Sequence, residues 1–121
     1  MKTILLVEDD PFIIDIYANQ FKRDGYKVFV AVDGQAAIEK VKVVCPDIML
    51  LDVGLPKLNG FEVLKIIRND PVTKDLKVVI LSNNNINDFS PESVEFGFIK
   101  YFLKVETSPQ EIADYIKGVL K

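Results

Sequence analysis

The chain has 121 residues, 49% of them hydrophobic and 27% charged, which suits one globular domain burying roughly two-thirds of its unfolded surface in a single core. A net charge of -3 with scattered Lys and Arg argues against a nucleic-acid footprint, no apolar stretch nears the ~20 residues of a membrane span, and no signal-peptide anatomy is visible. A lone Cys45 excludes an internal disulfide, and the lack of histidine removes imidazole chemistry, so any metal needs oxygen ligands such as suit magnesium, manganese or calcium.

Apolar runs and turn signals alternate along the whole length. Ile4-Leu5-Leu6-Val7 reads as a first buried strand and ends in Glu8-Asp9-Asp10. Asp10 is a good N-cap and Pro11 suits the first helical position, so a helix is expected from there to about Gly25. Tyr26 to Val32, with Val28, Val30 and Val32 alternating, reads as the second strand. Asp33-Gly34 opens a second helix that keeps Ala37, Val41 and Val44 at helical spacing until Pro46. Ile48-Met49-Leu50-Leu51 forms the third strand and ends in Asp52. A third helix is expected from Gly60 to Asn69, with Phe61, Leu64 and Ile67 on one face and Pro71 beyond it.

Val78-Val79-Ile80-Leu81 reads as the fourth strand and ends in Ser82. Four Asn in the five residues from Asn83 favour turns over helix. A short fourth helix is then expected from Ser90-Pro91-Glu92 to Gly97. Tyr101-Phe102-Leu103 is the fifth strand and ends in Lys104. Ser108-Pro109-Gln110-Glu111 has the form of a capping box and starts the last helix, whose apolar stripe is Ile112, Ile116, Val119 and Leu120. Regular alternation of this kind predicts an α/β fold: a doubly wound, five-stranded parallel sheet, flavodoxin-like with strand order 2-1-3-4-5, and five flanking helices. Aromatic Phe12, Tyr17, Phe21 and Phe29 are expected to pack the core, and Cys45 to be a small buried or half-buried group.

In such sheets ligands bind beyond the carboxyl ends of the strands. Glu8, Asp9, Asp52, Ser82 and Lys104 all stand at such ends. Taken singly, each is most often a solvated acid, a strand-end hydroxyl or a solvated lysine. Jointly they place several carboxylates, one hydroxyl and one ammonium on a single rim, a set suited to a divalent cation and a phosphoryl group. Adjacent carboxylates repel and need a compensating cation or a protonation shift. Magnesium, which favours one or two carboxylates with waters and phosphate oxygens, fits that need. An enclosed aspartate such as Asp52 can attack phosphorus to give an acyl phosphate.

These features resemble the receiver domain of bacterial two-component response regulators over the whole chain, residues 1–121. Ile4 to Asp10 is similar to that family's first strand and acidic pair, and Asp52-Val53-Gly54-Leu55-Pro56-Lys57-Leu58-Asn59-Gly60 to its phosphoacceptor loop. Ser82 matches the switch hydroxyl, Tyr101 the switch aromatic and Lys104 the family's lysine. The resemblance implies that Asp52 accepts a phosphoryl group from a sensor histidine kinase, a phosphotransfer protein or a small acyl phosphate. It implies Mg2+, with Mn2+ as a substitute, on Glu8 or Asp9, Asp52 and the backbone carbonyl of Gly54. Ser82 and Tyr101 would then move together and reshape the face made by the fourth helix, fifth strand and fifth helix, a face also suited to a homodimer. The output would be a downstream protein or an output domain outside this chain. The expected setting is cytoplasmic, with no direct nucleic acid and no membrane. The resemblance further implies no enzyme but a phosphoacceptor signalling domain that assists its own phosphorylation and dephosphorylation.

Two positions depart from the family pattern. Lys104 is followed by Val105 rather than proline; a non-proline cis bond costs about 3–4 kcal/mol, so a trans bond and a rearranged loop are expected, which bears on where the Lys104 ammonium lies. Asn83 stands where the family has a small residue, and bears on access to the phosphoryl site and on hydrolysis there. The alternative function is a phosphorylation-independent interaction module of the same fold, which has no need of so costly a charge set. A phosphohydrolase resembling the haloacid dehalogenase group needs a second Asp where Gly54 stands. A flavin protein of similar topology would have its phosphate repelled by Glu8-Asp9-Asp10.

Overall fold

The computed structural model describes residues 1–55, 58–83 and 97–120. In chain order the elements are β1 (Thr3–Val7), α1 (Pro11–Arg23), β2 (Lys27–Ala31), α2 (Gly34–Val44), β3 (Ile48–Asp52), α3 (Gly60–Asn69), β4 (Lys77–Ser82), β5 (Lys100–Leu103) and α4 (Pro109–Val119). All five strands form one parallel sheet in the order β2-β1-β3-β4-β5. Among the described residues there are four helices; the helix expected from Ser90 to Gly97 falls almost wholly in residues 84–96, outside the described residues.

The sheet is covered on both faces, as its sequence pattern requires. Alternate residues of each strand point to opposite sides, and two apolar clusters result. Ile4, Leu6, Ile48, Leu50, Val79 and Leu81 face α1 and α4, packing on Tyr17, Phe21, Ile112 and Ile116. Leu5, Val7, Met49, Leu51, Val78 and Ile80 face α2 and α3, packing on Ala37, Val41, Val63, Leu64 and Ile67. The central strand β3 is buried at every position. Burying each Leu or Ile there contributes at most about 1.5–3 kcal/mol by transfer. A truncation such as Leu50→Ala, which also leaves a cavity, costs about 2–5 kcal/mol.

Short polar side chains fix where the helices start. The Asp10 carboxylate accepts from Phe12 N–H at 2.9 Å, Asp33 from Ala36 N–H at 2.8 Å and Asn59 from Glu62 N–H at 3.0 Å. Ser108 and Glu111 form the reciprocal capping box, with Glu111 N–H donating to Ser108 Oγ at 3.2 Å. Each cap satisfies one of the four orphan donors of a helix N-terminus. After α1 the chain reverses through Gly25 at φ +92°, a left-handed conformation that costs glycine little.

Three expectations need correction. Phe12 is 80% exposed rather than in the core. It lies nine positions before Phe21, and at roughly 100° per residue that is the opposite side of α1. Cys45 is exposed, because it caps α2 in a left-handed conformation (φ 49°) that carries its side chain off the buried stripe. Strand β2 stops short of the expected Tyr26–Val32: Tyr26 N–H still belongs to the preceding turn, donating to the Phe21 carbonyl at 3.0 Å, and Val32 is half exposed before the Asp33 cap.

Candidate phosphoacceptor site

The carboxyl ends of β1, β3, β4 and β5 bring the predicted polar groups together. Glu8, Asp52 and Ser82 are 1%, 5% and 1% exposed, so each polar group is held almost wholly inside the rim. Asp9 is exposed beside them, and Asp10 is used up as the cap of α1. Lys104 lies across the cluster, donating to Asp52 Oδ2 at 3.0 Å and to Glu8 Oε2 at 3.2 Å. The other Asp52 oxygen, Oδ1, accepts from Gly54 N–H at 3.0 Å. The strand ends are pinned by main-chain bonds: Lys104 N–H donates to the Ser82 carbonyl at 2.8 Å, and Val53 N–H to the Leu81 carbonyl at 3.2 Å.

The departure at Val105 leaves this geometry intact. No cis peptide bond occurs among the described residues, so Lys104–Val105 is trans as expected. The chain turns directly after the strand, with Glu106 N–H donating to the Leu103 carbonyl at 3.2 Å. Val105 itself points to solvent at 80% exposure, and the Lys104 ammonium remains on Asp52 and Glu8.

The electrostatics follow from crowding like charges in a largely buried rim. Burial first, and repulsion from Asp52 second, push the Glu8 carboxyl up to about 7 against the pull of Lys104. Burial alone would lower the Lys104 ammonium, but hydrogen bonding and attraction to Asp52 and Glu8 outweigh it and hold it above its ordinary value. Tyr17 beneath the rim is raised to about 12 by burial and by the charge of Glu8. One ammonium among three carboxylates leaves the cluster short of positive charge.

A divalent cation suits that deficit. Glu8, Asp9 and Asp52 each offer an oxygen, all within 4.8 Å of one another. With oxygen donors only, the set fits a hard ion of the magnesium or calcium type. Beside Asp52 a cleft of about 260 Å³ opens between Val53, Gly54, Asn59, Phe61, Ser82 and Asn83. It places the Asp52 carboxylate, the Ser82 hydroxyl and the exposed Asn83 carboxamide on one small wall.

The cleft includes two residues that reading by element alone missed. Asn59 reads as part of the loop before α3 and Phe61 as part of an apolar helix face, yet both line the cleft because α3 begins directly over the end of β3. The signal was the short loop from Asp52 to Gly60, which forces the first turn of α3 back across the rim. Tyr101 stands on β5, half-buried against the α2 and α3 layer, with its ring 6.1 Å from that of Phe98. Phe89 and Phe96 lie outside the described residues.

Comparison with known proteins agrees with this geometry. Residues 4–117 match the family described as the response regulator receiver domain. The chain is 33% identical to the sporulation initiation phosphotransferase F of Bacillus subtilis, over 99% of this chain and 95% of that protein. It is 32% identical to the alkaline phosphatase synthesis transcriptional regulatory protein PhoP of the same organism, over 99% of this chain and 49% of that one. It thus spans about half the length of the transcriptional regulators it matches. Among solved structures, the response regulator TrrA of Thermotoga maritima, in complex with Mg2+ and BeF, superposes with a TM-score of 0.83 at 28% identity, covering 98% of each chain. The chemotaxis response regulator CheY4 of Vibrio cholerae superposes at 0.84 with 25% identity, again over 98% of each chain.

Proposed function

The chain belongs to the response regulator receiver domain family of two-component signal transduction, and on that premise we propose that Asp52 is its phosphoacceptor. The observation that carries the reading is one contact: the buried Asp52 carboxylate is bridged by Lys104 at 3.0 Å inside a rim that also holds Glu8 and Asp9. The donor is the phosphohistidine of a sensor kinase or phosphotransfer protein, or a small acyl phosphate. An Asp52 oxygen bonds to phosphorus as the donor's P–N or P–O bond breaks, and the electron pair leaves with the donor.

Both Asp52 oxygens are engaged before transfer, Oδ1 by Gly54 N–H and Oδ2 by Lys104. Each oxygen keeps a second lone pair for attack, and the flexible Lys104 ammonium is the contact able to follow the incoming phosphoryl oxygens. Ser82, at the wall of the same cleft, donates its hydroxyl to a phosphoryl oxygen. Glu8, Asp9, Asp52 and the Gly54 carbonyl are the groups that would hold Mg2+, which when bound offsets the negative charge of the phosphoryl group. The Mg2+ and BeF in the related TrrA structure support that assignment.

Phosphorylation changes the contacts of Ser82, and Tyr101 on the neighbouring strand responds. The population shifts toward a second arrangement of the surface around β5 and α4. That surface is where a downstream protein, an output domain or a second copy would bind. We place this cycle in the cytoplasm; no helix among the described residues is long and apolar enough to cross a membrane.

The test is intact mass after incubation with Mg2+ and a small acyl phosphate. One phosphoryl adduct on the wild type and none on Asp52→Asn is the expected result. A folded wild type that takes up nothing, from that donor or from kinases, would leave the phosphorylation-independent module in its place.

A further inference from the structure

We infer that Gly34, the first residue of α2, is a positioning residue for the phosphoacceptor loop, an inference that rests on the function proposed above. The first turn of α2 and the loop following Asp52 meet in a contact with no room to spare. A β-carbon at Gly34 would stand 2.6 Å from the Leu58 carbonyl oxygen, 2.7 Å from Leu58 Cβ and 2.9 Å from Val63 Cγ2. Ordinary contact between such atoms needs about 3.5–4.0 Å. The backbone φ of Gly34 is not left-handed, so space rather than conformation demands glycine there.

The loop has little freedom to yield on its other side. Gly60 N–H donates to the Val53 carbonyl at 3.0 Å, and a β-carbon at Gly60 would lie 2.5 Å from Val53 Cα. Asn59 is tied to Glu62 by two hydrogen bonds, at 3.0 Å and 2.8 Å. Residues 58–60 are thus wedged between α2 and the end of β3. Helix α2 is itself anchored by buried Ala37 and Val41 and by the Lys42–Asp70 ion pair at 3.3 Å. Pressure applied at Gly34 therefore falls on the loop, whose Gly54 and Asn59 are exposed and whose backbone adjoins Asp52. The α2 N-terminus, which contributes no side chain to the rim, sets where the Gly54 carbonyl and the Asp52 carboxylate stand relative to each other.

The experiment compares Gly34→Ala with Ala37→Gly, which weakens the same helix from inside and adds no atom against the loop. Calorimetry with Mg2+ alone reads the site, and amide chemical shifts in metal-free protein read the loop. In Gly34→Ala the Gly54 and Gly60 amides shift and Mg2+ binds about tenfold more weakly, the size usual for supporting groups around a metal. Ala37→Gly keeps wild-type Mg2+ binding and wild-type Gly54 and Gly60 shifts. Mg2+ binding by Gly34→Ala equal to the wild type, or an equal loss in Ala37→Gly, overturns the inference. If Gly34→Ala does not fold, Leu58→Gly opens the same contact from the loop side; it should weaken Mg2+ binding similarly, and unchanged binding overturns the inference. A wild-type chain that binds no Mg2+ and takes up no phosphoryl group overturns the proposed function along with it. A wild type that does both, with an unaffected Gly34→Ala, overturns the positioning role alone.

Discussion

Lys104 Nζ stands 3.2 Å from Glu8 Oε2, joining the end of β5 to the end of β1 across 96 residues of sequence. Strands β1 and β5 are not neighbours; β3 and β4 lie between them. The side chain thus spans the rim and touches Asp52 on the way, at 3.0 Å. One cation is shared by two buried acids, and neither acid has another cation among its described partners.

Removing that cation should unmask the repulsion beneath it. Lys104→Met leaves Glu8 and Asp52 buried without their ammonium, and breaking a buried pair this way costs about 3–5 kcal/mol. Urea unfolding in chelator at pH 8 should show that loss. At pH 5, where Glu8 is protonated in the folded state, the loss should be clearly smaller. Equal losses at both values would mean that the contact is a packing effect only. The variant should also take up phosphoryl far more slowly than the wild type.

The same crowding predicts how stability varies with pH. Glu8 is raised from 4.5 to about 7 on folding, so between those values the folded state holds its proton more tightly than the unfolded state does. Its contribution is therefore complete below pH 4.5 and is lost as pH rises through about 7, by roughly 3 kcal/mol in all. The metal-free protein should weaken from pH 5 to pH 8, and Glu8→Gln should flatten that slope. Mg2+ should restore the wild type at pH 8 more than it stabilises Glu8→Gln. Identical slopes for the two proteins would count against a buried, repelled Glu8.

Asn83 is exposed and lines the cleft beside Asp52, so it touches access more than folding. Asn83→Ala should leave the free energy of urea unfolding within about 0.5 kcal/mol, as surface changes generally do. It should raise the rate of phosphoryl uptake from a small acyl phosphate, read by intact mass against time. An unchanged or slower rate would show that the carboxamide assists the reaction rather than narrowing the approach to it.

Ser108 holds α4 by its capping box. Ser108→Ala should cost about 1 kcal/mol, which for a domain of this size lowers Tm by about 3–5 °C. Ser108→Asp, which restores an N-cap acceptor, should recover most of it. Loss of Tm without recovery by Asp would point to packing of the hydroxyl instead.

The fold was legible because its punctuation is chemical. Gly60 and Asn69 bound α3 as expected, with Pro71 just beyond it, and the Asn59 carboxamide caps its first turn. Asp52, Ser82 and Lys104 could be placed on one rim because each ends an apolar run, and parallel strands end together. What was not read lies partly in helical phase and caps and partly in contacts between elements. Phe12 and Cys45 are apolar by composition, yet helical phase turns the first outward and a left-handed cap the second. Nothing in the residue types shows that Gly34 must lack a β-carbon for Leu58's sake. That Val105 would leave Lys104 in place depended on a main-chain bond from Lys104 to Ser82, invisible along a single strand.

The most direct measurement is to locate the phosphoryl group chemically. Wild-type protein incubated with Mg2+ and a small acyl phosphate is reduced with borohydride, which converts an aspartyl phosphate to homoserine, and its peptides are then mapped. The predicted result is homoserine at position 52 alone, absent when Mg2+ is chelated. Homoserine at Asp9, Asp10 or another acid, or an unmodified position 52 in folded, metal-loaded protein, would contradict the assignment of Asp52 as the phosphoacceptor.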